Sequence, residues 1–198
     1  MAEDGIEWIY IPPLAPHWGG IWESAVRSVK LHLKRVVANT ELTFDQMNTL
    51  LTQVEAVVNS RPLGVAPDTD CEYLSPAHFL IGRPYTMVPE GDLVHTNPNR
   101  LDYWQHVQNL FQGFWKRWHS EYLTSLQQRP KWNIRQDNLK QDEVVVIKEK
   151  NIPPSKWLLA RIIATYPGPD GNIRVVRLKT KTGEFTRPIT AVVRLPIF

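Results

Sequence analysis

Apolar and polar positions change period along this chain, and the change divides it. The run Ile6-Glu7-Trp8-Ile9-Tyr10-Ile11 predicts a short strand, closed by Pro12-Pro13 because proline has no amide to offer a ladder. A loop carrying Pro16 and Gly19-Gly20 leads into a helical pattern from residue 21 to about 39. A second helix is predicted over 43–59, with Thr43 as N-cap and Phe44, Met47, Leu50, Leu51, Val54, Val57 and Val58 as its apolar stripe. Ser60-Arg61-Pro62 ends it, since the residue before proline avoids the helical region. Residues 62–100 read as proline-rich loop, broken by one short helix with Ser75 as cap, Pro76 at its first position and Gly82 as stop. A third long helix is predicted over 100–128, where Leu101, Trp104, Val107, Leu110, Phe111, Phe114, Trp118 and Tyr122 form an aromatic stripe. That stripe suits packing better than base stacking. After Pro130 the period falls to two. Runs at 144–147, 158–165, 173–179, 184–187 and 191–195 predict five strands separated by Pro, Gly, Asn and Asp turns, the pattern of a small SH3-like barrel. At least one of Trp157, Tyr166 and Phe185 is expected to fill its core.

The fold class expected is therefore α+β, with domains at 1–98, 99–137 (an aromatic linker helix) and 138–198. In a chain of 198 residues a single Cys excludes a disulfide framework, and no run reaches the roughly 20 apolar residues of a membrane span. The N-terminal residues lack the pattern of a signal peptide, so a chain that is neither secreted nor membrane-bound is expected. Net charge is only +3, but it is unevenly spread. Basic and acidic side chains number 7 and 12 over residues 1–100, 6 and 4 over 101–142, and 10 and 4 over 143–198. A basic C-terminal segment suits a polyanionic partner, nucleic acid above all, although a small Lys-rich β-domain in solvent has the same composition.

At about 100° per residue, Glu23, Arg27, Lys30 and Lys34 fall in one narrow stripe of the first helix, and Val26, Val29, Leu33 and Val36 on the adjacent face. One reading is purely structural: an acid at the positive helix start and an i,i+4 pair with Arg27. The other is chemical. A carboxylate after a Gly-rich loop can join a hard-oxygen metal site, with cations further along clamping a nucleic-acid backbone.

Ile11-Pro12-Pro13-x-Ala15-Pro16-His17-x-Gly19-Gly20-x-Trp22-Glu23-x-x-Val26-x-x-x-Lys30 resembles the last catalytic segment of integrases from Bel/Pao-type LTR retrotransposons. Asn59-Ser60-Arg61-Pro62-Leu63 and Leu74-Ser75-Pro76-x-His78-Phe79-Leu80-Ile81-Gly82-Arg83-Pro84 are similar to the segments that follow in those polyproteins. Phe114-Trp115-Lys116-Arg117-Trp118, Tyr122-Leu123-x-x-Leu126-Gln127 and Lys131-Trp132 resemble the start of their C-terminal domain, which continues from Val144 through Pro188. The resemblance implies the end of an RNase H-like core followed by an SH3-like DNA-binding domain, in enzymes that process and join element DNA ends with Mg²⁺ or Mn²⁺. It places Glu23 as the glutamate of a two-aspartate, one-glutamate triad and metal site, Lys30 at the position of a lysine that contacts DNA ends, Arg27, a candidate DNA-binding residue with it, at a nearby basic position, and Gly20 in the loop before the catalytic helix. Asp4 is the only aspartate before Glu23 and stands too close to serve, and the family's zinc-binding His/Cys domain has no counterpart. The expectation is therefore a DNA-binding integrase fragment, catalytically inert by itself and holding no metal tightly, located in the nucleus. Truncation of the core further implies apolar helix faces open to self-association or a partner chain.

Lys34, Lys148, Lys156, Arg161, Arg174, Arg177, Lys179, Lys181 and Arg187, with Lys150 among them, complete the candidate DNA-binding set. Element ends or target DNA are the expected partners, bound with little sequence preference and steep salt dependence. His17, His32, His78, His95, His106 and His119 lack metal-ligand spacing. A different class of function stays open: an SH3-like module binding a peptide or histone tail in an aromatic groove, a chromatin-associated adaptor.

Overall fold

The computed structural model describes residues 10, 12–13, 19–65, 72–97, 101–127, 138–149 and 151–195. Apart from Tyr10, the strand expected over 6–11 lies outside the described residues.

Four helices come first: α1 (Gly20–Val37), α2 (Phe44–Asn59), α3 (Pro76–Ile81) and α4 (Tyr103–Leu126). Local chemistry sets their ends. Thr43 Oγ1 accepts from the Gln46 amide at 3.3 Å while Gln46 accepts from the Thr43 amide at 2.9 Å, a reciprocal cap at the start of α2. Asp102 and Gln105 make the same exchange before α4, at 2.7 and 3.2 Å. Gly82 stops α3 at φ 70°, a backbone region glycine enters without steric cost. Between α2 and α3 a two-residue antiparallel ladder, β1 (Gly64–Val65) with β2 (Tyr73–Leu74), closes a loop that the sequence pattern left open.

The five expected strands are present as β3 (Val144–Ile147), β4 (Leu159–Pro167), β5 (Ile173–Thr180), β6 (Gly183–Pro188) and β7 (Val192–Arg194), with a 3-10 turn at Ile189–Ala191 before the last. They form one antiparallel sheet in the order β6-β5-β4-β3-β7. Its ends do not meet, so the expected closed barrel is corrected to an open, bulged sheet: among the described residues β6 and β7 are edges. Two register shifts, at Ile163 on β4 and Arg174 on β5, bend it and let Ile173 and Val176 share the buried face although three residues apart.

Each face of the sheet has its own core. Val145, Ile147, Ala160, Ile162, Ile173, Val176, Leu178 and Val192 form an aliphatic cluster on one side. Val146, Val193, Leu195 and Trp157 join Leu50, Val54, Val57, Phe111, Phe114, Trp115 and Trp118 in a second cluster that runs unbroken from helices to sheet. The expected aromatic filling of the sheet's inner core is thus corrected. Trp157 is buried, but toward α4, and Tyr166 and Phe185 are 47% and 39% exposed. The Trp157 ring lies 5.3 Å from Trp115, 4.9 Å from His119 and 5.6 Å from Tyr122. Its indole N–H donates to Ser60 Oγ at 3.2 Å, and the Tyr122 hydroxyl donates to the Pro62 carbonyl at 2.6 Å. The Asn59-Ser60-Arg61-Pro62-Leu63 motif is therefore a joint that ties α2 to both α4 and the sheet. Burying each large apolar side chain at such a joint contributes about 1.5–3 kcal/mol.

Candidate nucleic-acid interface

Helix α1 packs antiparallel to α4. Val36 lies beside Gly113, and His32 Nε2 sits 2.9 Å from the Glu121 carboxylate, which also accepts from Ser28 at 3.4 Å. That pairing partly buries Val29, Leu33 and Val36 but brings the first turns of α1 level with the end of α4. Val26, expected on the core face, is consequently 49% exposed, and Trp22 is 57% exposed. These two apolar side chains and Glu23, Arg27 and Lys30 line one shallow groove of about 330 Å³. Lys34 is exposed one turn further along and does not line it.

Gly19 gives the groove its shape. A Cβ there would stand 2.7 Å from Trp22 Nε1 and 3.1 Å from Glu23 Oε1, so glycine lets both side chains fold back over the helix start, and a larger residue would push them outward. Gly20, which the resemblance puts in the loop, is the first residue of α1 with open space around it. Glu23 forms no hydrogen bond or ion pair with a described residue, Arg27 included. Among the described residues it is the one acid lining the groove, and no three His, Cys, Asp or Glu side chains come together. Two-metal phosphoryl transfer needs several converging carboxylates. The donor set here does not fit the metal pair that the resemblance implies.

On the sheet, strand register sorts the expected cations. Arg161 stands opposite Lys179, and Lys179 opposite Glu184, across β4, β5 and β6. Cross-strand neighbours share a face, so these three and Arg177 project from the side away from the aliphatic core. Three cations are matched by acids within the sheet: Arg177 by Glu184 at 2.8 Å, Arg174 by Asp170 at 3.1 Å, and Arg194 by Glu143 at 3.0 Å. Hydrogen bonds from Asn172, then from Arg174, hold the Asp170 carboxyl down at about 2. Arg161 donates to the Asp142 carbonyl, and Arg187 lies over the Phe185 ring at 5.6 Å. Lys148 turns to α4 and donates to Thr124 Oγ1 at 3.0 Å, which takes it out of an outward-facing set. Among the described residues Lys181 reaches only Glu72, at 3.9 Å. Lys156 and Lys179 are exposed and make no ion pair with a described residue. Lys150 lies outside the described residues.

Sequence reasoning missed a second concavity, where β2 and α3 meet the β5–β6 hairpin. This cleft of about 330 Å³ is lined by Tyr73, His78, Trp157, Leu159, Lys181 and Thr182, with Glu72 at its rim. Its signal was the Leu74-Ser75-Pro76-x-His78 motif, in which His78 Nδ1 accepts from the Ser75 amide at 3.0 Å. Nothing in that motif announces the hairpin opposite.

Residues 102–195 match a family of unknown function, DUF5641. Among curated proteins none matches the chain. The matched stretch opens on Asp102, the cap of α4, and ends on Leu195 in the shared core, so it takes in the long helix together with the whole sheet.

Proposed function

We infer that this chain binds nucleic acid non-specifically, as the end of an integrase-type core joined to a basic SH3-like sheet. One observation carries the reading. After Asp170, Glu184 and Glu143 are matched to arginines, the sheet keeps a cationic surplus in Lys156, Lys179, Lys181 and Arg187. Lys179 stands between Arg161 on β4 and Glu184 on β6, which sets two cations side by side on the face a phosphate would meet. The strand order, with a 3-10 turn before the last strand, supports an SH3-like ancestry. The groove with Arg27 and Lys30 beside Glu23 supports a second backbone contact on α1. Glu23 is the one acid in that groove among the described residues, short of the several carboxylates that two-metal catalysis needs, which supports a binding role for Arg27 and Lys30. The peptide-module alternative wants exposed aromatics around one groove. Tyr166 stands opposite Val175 and Phe185 opposite Leu178, positions on opposite faces of β5, which favours nucleic acid instead.

The test is a fluorescence anisotropy titration of duplex DNA over a salt series. Affinity is expected to fall steeply and linearly on logarithmic axes. Lys179→Ala is expected to weaken binding equally for unrelated sequences and to reduce the salt slope by about one. Binding that ignores ionic strength, or a slope unchanged in the variant, rejects the assignment.

A further inference from the structure

We propose that the cleft between the β2–α3 corner and the β5–β6 hairpin holds one unpaired nucleotide at a single-stranded end. The proposal rests on the nucleic-acid reading and deepens it. Leu159 and Trp157 give the cleft apolar lining, and the Tyr73 and His78 rings, which also line it, meet edge-to-face at 6.2 Å. A flat heteroaromatic base suits such a site, because every base has an apolar face to stack and a polar edge to satisfy. Both rings carry polar groups for that edge. His78 Nδ1 is occupied as an acceptor by the Ser75 amide, so the neutral ring carries its proton on Nε2 and offers it as a donor. The Tyr73 hydroxyl makes no hydrogen bond with a described residue, and burial pushes its pKa up to about 12, so it too stays protonated and able to donate.

The rim supplies the phosphate side. Lys181 is well exposed and touches Glu72 only at 3.9 Å, the outer limit of an exposed pair, so an incoming phosphate can draw it away. Lys179 lies two residues back along the chain with Arg161 opposite it, which continues the cationic path away from the cleft. Charge argues against a lysine-bearing peptide as occupant. Among the described residues Glu72 is the one carboxylate lining the cleft, and Lys181 already faces it. Trp157, the ring best suited to a cation, is engaged instead with Trp115 and His119.

The experiment uses the full chain and two DNA duplexes of the same sequence, one blunt and one with a short single-stranded overhang carrying 2-aminopurine. The overhang is expected to bind at least about fivefold tighter, the low end for stacking one base on an aromatic site, with 2-aminopurine emission changed on binding. Thr182→Trp, made at an exposed turn position outside both cores, fills the cleft and is expected to bring the ratio to one while blunt-duplex affinity stays the same. Tyr73→Ala is expected to do likewise, with circular dichroism reporting that it folds. Equal affinity for both duplexes with unchanged emission overturns the proposal and leaves the general nucleic-acid reading standing. Binding of neither duplex overturns both. Binding of a lysine-rich peptide that Thr182→Trp abolishes, without any overhang preference, overturns it in favour of a peptide site.

Discussion

His119 shows how one side chain can set the acid response of the joint. It lies on α4 with the Trp115 ring at 4.6 Å and the Trp157 ring at 4.9 Å, and its Nε2 is buried without a hydrogen-bond partner among the described residues. Burial, and then the charge of Lys148, pulls its pKa from 6.5 down to about 4. The folded ring is therefore neutral where the unfolded ring already takes a proton. Between pH 6.5 and about 4 the unfolded chain binds more protons, so stability falls as pH falls; below that window both states are protonated and the loss stops. The whole effect is on the order of 3 kcal/mol. Asp170 acts in a separate window. Its depressed carboxyl contributes stability above 3.8 that is lost as pH falls toward about 2. Chemical denaturation across pH is expected to show the upper loss in the wild type and not in His119→Leu, with the lower loss retained in both. An upper window that persists in His119→Leu assigns it to another group.

At the scale of elements, the described helices and long strands were legible because their signals are local. Thr43, Asp102, Pro76 and Gly82 mark ends by their own chemistry, and the aromatic stripe of α4 keeps helical spacing throughout. Periodicity names the buried face of an element but not the neighbour that buries it. Phe44 and Leu51 belong to the expected stripe of α2, yet both are exposed, because α4 covers only the arc around Leu50, Val54 and Val57. The β1–β2 ladder, two residues on each side, is too short to show any period. The cap of α2 offers a clean test, since Thr43 also meets the Tyr103 hydroxyl at 3.2 Å and so couples the starts of α2 and α4. Thr43→Ala is expected to cost about 1 kcal/mol in urea denaturation and Thr43→Ser next to nothing, because serine keeps the accepting oxygen. Equal losses for the two variants place the effect in the methyl group instead.

For the whole molecule the decisive feature is that a single apolar cluster spans helices and sheet, which no local pattern discloses. Glu23, Arg27 and Lys30 could be brought together on paper because helical geometry fixes them within a few residues. The pairing of Arg177 with Glu184 and the cleft joining Tyr73 to Lys181 depend on register and on tertiary packing, so the charge pattern alone overstated the outward-facing cations. Trp157 is where the two readings of α4, linker or shared core, give different outcomes. Its ring contacts α4, and its N–H bonds the end of α2 at Ser60, so removing it opens a void on both sides at once. Trp157→Ala is expected to cost about 3–5 kcal/mol, with Ser60 left without its donor. Hydrogen exchange gives the discriminating readout. If the core is shared, the amides of Val54 and Val57 on α2 and of Val145 and Val146 on β3 lose protection together and to the same extent. If α4 only connects two independent bodies, the β3 amides become labile while those of α2 keep their protection, and the continuous core is not a cooperative unit.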